Sequence, residues 1–263
     1  MMPEARRDHF QVAPRYQPIM REIGLDAEAV FSHPQIKVWR SIPERENCTL
    51  DAMLDGREIR LHIKRYHAGR SSKNAAEEEV GGIELLHAHQ IPTVELVGWG
   101  KMVDGRSFVI SEDLKDFRAA DKAIELGFPF DRLIDSTADL AARLHASGLH
   151  HRDLYLCHFF MKTAGDELEL RLIDAARVRR LPRFFRARWI VKDLAQFWYS
   201  AKKLGIVDDQ LIRWLGRYTD KAPDIAPPLR LIEAKVSWIA GHDKKLNISQ
   251  PNRNVSIPRS RGA

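Results

Sequence analysis

The chain has 263 residues, 44% of them hydrophobic and 30% charged, with a formal net charge of +6. That length and balance suit one or two folded domains with a substantial core and argue against a disordered chain. Two cysteines, Cys48 and Cys157, lie in different segments and form neither a disulfide framework nor a cysteine-rich zinc site. No apolar run approaches the roughly 20 residues of a bilayer-spanning helix, and Met1–Phe10 lacks the apolar core of a signal peptide. A cytoplasmic or peripheral protein is expected. The positive balance suits an anionic partner, a membrane surface included.

Residues 1–35 read as an N-terminal extension packing on the first lobe, with Ile19, Ile23 and Leu25 partly matching a helical face in Pro18–Ala29. Residues 36–114 read as a β-rich, nucleotide-binding lobe. I-K-V-W-R is its first strand, followed by a turn-rich Ser41–Asn47 that contains no glycine. Asp55-Gly56 between two alternating runs signals a hairpin. Beyond it Ile59, Leu61 and Ile63 share one face, and Arg60, His62 and Lys64 the other. A helix follows over A-A-E-E-E-V-G-G-I-E-L-L, with Val80, Ile83 and Leu86 on one face and Gly81 and Gly82 weakening it. I-P-T-V-E-L-V-G-W-G and R-S-F-V-I-S-E-D-L read as a strand pair, and a domain boundary is placed near Asp113–Ala120.

Residues 115–246 read as a mainly helical lobe. Leu133, Ile134, Thr137, Leu140, Ala141 and Leu144 recur at helical spacing, and Gly148 stops that helix. Next come H-H-R-D-L-Y-L-C-H-F, a polar turn at Thr163–Glu167, and an apolar run ending at Asp174. The segment after Asp174 carries six arginines between Arg177 and Arg188, then Lys192. Phe184, Phe185 and Trp189 within it are expected to bury. Residues 192–216 read as two helices, with Asp193 bracing the preceding loop, and a last helix spans about Leu229–Ala240. The polar tail, 247–263, is expected to be loosely packed or disordered.

The motif that organises these elements is His151-Arg152-Asp153, with His158 five positions after Asp153 and Asp174 closing a strand. Protein kinases carry H-R-D-L-x-x-x-N followed by a strand and a metal-binding Asp. Phosphoryl transfer needs one carboxylate at the acceptor hydroxyl and another on the magnesium that bridges the phosphates. Asp153 takes the first role; Asp174 and His158 take the metal positions. Lys64 is the candidate phosphate-orienting lysine, and Glu79 its helix partner, with Glu78 second because helix phase decides. The backbone at Glu112 and Leu114 is the candidate adenine contact. Zinc binding by His145, His150, His151 and His158 is a weaker alternative, since their spacing matches no recognised zinc pattern.

H-H-R-D-L-Y-L-C-H-F at 150–159, I-K-R-Y around Lys64, the I-P-T stretch through Thr93 and K-D-L-A at 192–195 resemble the lipopolysaccharide core kinases of the WaaP and Kdo-kinase type. In that family a His commonly stands where protein kinases have the metal-binding Asn. The resemblance covers roughly residues 36–200. It implies an α+β, two-lobed protein-kinase-like fold and an ATP- and Mg2+-dependent kinase acting on a heptose or Kdo hydroxyl. The partner would be the lipopolysaccharide core or another anionic sugar acceptor, met at the inner face of the bacterial inner membrane, with peripheral membrane association. No nucleic-acid partner is expected, and the oligomeric state stays open. The pattern departs from the family at Asp174, followed by Ala-Ala in place of Phe-Gly, and in lacking a glycine-rich phosphate loop. Rival readings are another small-molecule or protein kinase of the same fold, and an inactive kinase-like scaffold that binds an anionic partner.

Overall fold

The computed structural model describes residues 8–70, 72–165 and 167–249. The backbone groups into two compact units, one running to Val80 and including Val94–Lys115, the other comprising Gly81–Thr93 and the chain from Asp116. The α+β class expected from the sequence, an antiparallel sheet with one main helix followed by a mainly helical part, is the one found.

The first unit is built on six antiparallel strands: β1 (His9–Val12), β2 (Lys37–Ile42), β3 (Arg45–Leu54), β4 (Arg57–Tyr66), β5 (Leu96–Lys101) and β6 (Ser107–Glu112), in the order β1-β5-β6-β4-β3-β2. The β3–β4 hairpin turns through Asp55 (φ 51) and Gly56 (φ 74), the positive-φ pair that a two-residue turn requires. Along β4 the alternation holds: Ile59, Leu61 and Ile63 are buried, and Lys64 lies on the opposite face. The turn-rich reading of Ser41–Asn47 is corrected. Ile42 pairs with Arg45, so only Pro43 and Glu44 turn, and Asn47 is already paired with Lys64.

Residues 8–35 contribute more than their polar composition suggests. β1 pairs with β5, and Tyr16, Ile19, Met20, Leu25 and Val30 join the core beneath the sheet. The single helix expected over Pro18–Ala29 is two short ones, α1 (Gln17–Glu22) and α2 (Ala29–Ser32). Gly24, at φ 64, breaks the first, and Asp26 Oδ1 accepts the Ala29 N–H, 2.8 Å away, to start the second. Helix α3 (Ala75–Ala88) buries Val80, Ile83 and Leu86 as its spacing predicts.

In the second unit, β7 (Arg118–Ala119) leads into α4 (Ala120–Glu125) and α5 (Asp131–Ala146), and β8 (Leu149–His150) opens the loop. β9 (Phe159–Ala164) and β10 (Glu167–Leu172) form a hairpin with β7 on its edge, and β11 (Arg179–Arg180) pairs with β8. Helices α6 (Arg186–Lys203), α7 (Asp208–Lys221) and α8 (Leu229–Ser249) complete it. The buried rings of Phe197 and Trp214 stack with centroids 4.3 Å apart, and the Trp214 indole N–H donates to Thr137 Oγ1 at 2.9 Å. Two expectations fail here. Phe184 and Phe185 are exposed and Trp189 is half-buried, because the chain around them carries charge too densely to fold inward. Helix α8 continues through Asn247 to Ser249; the rest of the expected tail lies outside the described residues. Among the described residues no helix is long and apolar enough to cross a membrane.

Candidate active site

The site begins with a short-range problem: His151-Arg152-Asp153 must leave β8 and turn sharply. Arg152 does so at φ 70 and Asp174 at φ 62, both left-handed conformations that L side chains avoid. Each costs on the order of 1–2 kcal/mol, so surrounding contacts must hold it. The 3-10 turn Leu156–His158 then feeds the β9–β10 hairpin, whose far end returns beside it: the Ile173 N–H donates to the His158 carbonyl at 3.0 Å. Thr93 Oγ1 donates to the Leu172 carbonyl at 2.6 Å and fixes that strand end.

These bonds bring His158 and Asp174 together, with Nε2 and Oδ2 3.6 Å apart. The other imidazole nitrogen, Nδ1, donates to the Asp153 carbonyl at 2.6 Å, which turns Nε2 toward Asp174. Burial opposes a charged His158, but the Cys157 side chain, the Asp174 carboxylate and the Asp153 carbonyl outweigh it and raise its pKa to about 9. His151 is fully buried; burial keeps its pKa low, and its Nε2–H donates to the Ile173 carbonyl at 3.0 Å, one residue before Asp174.

A stripe on α6 holds the loop. The buried Asp193 carboxylate accepts the N–H groups of His151 (2.7 Å) and Arg152 (2.8 Å). Burial opposes its ionisation, but the His145 hydrogen bond, neighbouring imidazoles and these N–H donors keep its pKa below the usual carboxylate range. One turn on, Gln196 accepts the Leu154 N–H at 3.2 Å, and after another turn Ser200 accepts the Leu156 N–H at 2.9 Å. Lys192 donates to the Arg152 carbonyl; burial, with Arg177 close by, lowers its pKa to about 8. Sequence reasoning found Asp193 and missed Gln196 and Ser200. Their i, i+3, i+7 spacing was the available signal, polar positions on a helix face otherwise apolar.

Asp153 itself faces Arg177, whose Nη1 lies 3.0 Å from both carboxylate oxygens, and Gln196 Nε2 donates to Oδ1 at 3.3 Å. Nothing in the spacing singles out Arg177 among the six arginines of this segment. The chain after Asp174 also packs closely on α3. A Cβ on Gly82 would stand 1.9 Å from the Ala175 carbonyl oxygen, so glycine is required where helix and strand end meet.

In the first unit, Lys64 Nζ donates to Glu79 Oε1 at 2.7 Å, and the Tyr66 hydroxyl donates to Oε2 at 3.3 Å. Helix phase selects Glu79, which is buried, over Glu78, which is exposed. The Glu112 carboxylate accepts from Tyr16 (2.9 Å) and Arg57 (2.7 Å), and its N–H donates to the Glu95 carbonyl. The Leu114 N–H hydrogen-bonds the neighbouring Asp113 carboxylate, whose pKa burial nevertheless raises.

His158 and Asp174 offer one nitrogen and one oxygen donor; the carboxylate suits magnesium or manganese, whereas an imidazole is an uncommon ligand for magnesium, and a bound cation would take the place of the imidazole proton. No third His, Cys, Asp or Glu joins them among the described residues. The remaining ligands of such an ion would come from phosphate and water. The zinc alternative fails on the same ground: His145 is spent on the Tyr218 hydroxyl and Asp193, and the four histidines form no metal-binding group.

A braced H-R-D loop, a hairpin returning an Asp beside it, and a strand Lys paired with a helix Glu define a phosphotransferase of the protein-kinase-like class. A sequence profile for the lipopolysaccharide kinase (Kdo/WaaP) family matches residues 32–218, and the chain belongs to that family. It is similar to the lipopolysaccharide core heptose(I) kinase WaaP of Pseudomonas aeruginosa, 28% identical over 223 residues that cover 74% of this chain and 81% of the relative. It is also similar to the enzyme of that name from Escherichia coli K12, 27% identical over 230 residues covering 74% and 82% of the two chains.

Proposed function

We propose that this protein is an ATP- and magnesium-dependent kinase that phosphorylates a heptose hydroxyl of the lipopolysaccharide inner core at the inner face of the bacterial inner membrane. The observation that carries the reading is the convergence of His158 and Asp174, joined through the Asp153 carbonyl to the loop that presents the Asp153 carboxylate. Heptose is favoured over Kdo by the relatives' named activity.

In this reading Asp153 receives the proton of the acceptor hydroxyl as its oxygen bonds to the γ-phosphorus, and the bridging oxygen leaves with ADP. Arg177 orients the Asp153 carboxylate before the acceptor arrives and then faces the same oxygen cluster. Lys64, held by Glu79, binds phosphate oxygens, and the Glu112–Leu114 backbone meets the adenine. His158 and Asp174 would hold the divalent ion, which neutralises charge on the phosphates when bound. Because the chemistry is mostly positioning, the supporting bonds from α6 matter as much as the carboxylate they aim.

The test is ATP turnover with and without purified lipopolysaccharide core, across a panel that includes free sugars and a protein acceptor. Core-dependent turnover, with phosphate recovered on heptose, is the expected result. Asp153→Ala should lower turnover by about 10³-fold while leaving nucleotide binding and the thermal midpoint near wild type. Turnover in that variant close to the parent would refute the assignment.

A further inference from the structure

The loop between β11 and α6 spends its apolar residues in an unusual way. Phe184 and Phe185 stand 74% and 83% exposed, two consecutive large rings open to water. Phe185 is also left-handed, at φ 62, a conformation that is an outlier for a bulky residue. Nothing in the catalytic arrangement uses either ring. Arg183, Arg186 and Arg188 flank them, all exposed, and no Asp or Glu occurs from Ala175 to Lys192.

Helix α8 adds to the same region. Trp238 is 59% exposed, with the Lys235 ammonium 3.5 Å from its ring centroid and the His242 ring stacked on it at 5.3 Å. Burial and the nearby charge of Arg188 lower the pKa of Lys235, so α8 and the start of α6 share one positive field. Exposed aromatics where the loop enters α6, flanked by arginines and with an amphipathic tryptophan on the neighbouring helix, are the composition of an interfacial anchor.

We infer that Phe184 and Phe185, with Arg183 and Arg186 beside them, dock the protein on an anionic lipid bilayer. The rings enter the acyl boundary and the guanidinium groups meet headgroup phosphates. The choice of occupant rests on charge complementarity, and on the preceding reading, under which the acceptor sugar is carried by a lipid. Docking would keep the loop that follows Asp174 at the surface where that acceptor lies.

The experiment uses the full chain with phosphatidylcholine vesicles, with and without phosphatidylglycerol. Wild type should co-sediment with the anionic vesicles and not with the neutral ones, and salt should weaken binding. The double variant Phe184→Ser/Phe185→Ser, at two exposed positions, should keep its thermal midpoint and lose binding by about tenfold or more. It should phosphorylate soluble, deacylated core oligosaccharide at the wild-type rate, and vesicle-borne core about tenfold more slowly. Wild type that ignores anionic vesicles, or a double variant that sediments as wild type does, would overturn the inference. So would tighter binding to single-stranded nucleic acid that the same substitutions abolish. Vesicle binding lost in the variant, with no sugar phosphorylation by wild type in either format, would support docking and overturn the heptose-kinase reading alone.

Discussion

Lys64 in the β-rich unit and the Asp153 loop in the helical unit are held by opposite means. Lys64 stands on a regular strand and needs one ion pair, 2.7 Å to Glu79, with Tyr66 on the second oxygen. The Asp153 loop has no ladder to hold it and includes a left-handed Arg152, so it draws on Asp193, Gln196 and Ser200 along two turns of α6. Regular structure aims a side chain through its own backbone, whereas irregular structure borrows that service from a distant helix.

The largest test of this contrast is Asp193→Ala. It leaves two buried N–H groups without an acceptor, a loss of about 3–5 kcal/mol, and it frees the loop, lowering turnover of the folded fraction by about 10²-fold. Urea unfolding beside single-turnover kinetics would read both. A stability loss with turnover within about twofold of wild type would show that Asp193 supports the fold without aiming Asp153.

Glu79→Gln should do less. It removes a charge but keeps the shape and an acceptor for Lys64, costing about 1.5–3 kcal/mol. Its main effect should fall on the KM for ATP, since a freed Lys64 misplaces phosphates and leaves the acceptor's base intact. A larger fall in thermal midpoint than Asp193→Ala gives would invert the comparison.

The smallest effect concerns His150, which sits at the start of the loop against Trp189, with ring centroids 4.8 Å apart. Burial lowers its pKa from 6.5 to about 4. The unfolded chain takes up its proton as pH falls below 6.5, and the native state resists until about 4. Stability is therefore full above that window and declines as pH falls through it, by on the order of 1–2 kcal/mol from neutral pH to about pH 5. His150→Phe should flatten this acid limb in urea midpoints; an unchanged slope would assign the limb to other groups.

The sequence made much of this arrangement legible where chemistry and spacing coincide. Asp55-Gly56 announced its hairpin, and Asp153, His158 and Asp174 announced a loop and a returning strand. The pairing of Lys64 with a helix glutamate was legible, but the choice between Glu79 and Glu78 turned on helix phase, and it is Glu79 that meets Lys64. What escaped was either short or cooperative. β1 is four residues long, too brief for alternation to stand out, and β7 has two. Gln196, Ser200 and Arg177 gain their meaning from residues 24 to 44 positions away, a distance over which periodicity says nothing. Phe184 and Phe185 misled because apolar character alone predicts burial, whereas three neighbouring guanidinium groups would have to follow them inward.

The pairing of β1 with β5 sets a timetable for biosynthesis. His9 bonds to the strand that contains Lys101, so at about 5–20 residues per second the first strand waits roughly 5–20 s on the ribosome for its neighbour. Through that interval Phe10 and Val12 travel bare, and chaperones that grip short apolar segments have a ready handhold. Once β5 and β6 emerge, the waiting strand pairs with β5 and becomes the sheet's edge itself, four residues long and so a poor template for chain-to-chain association.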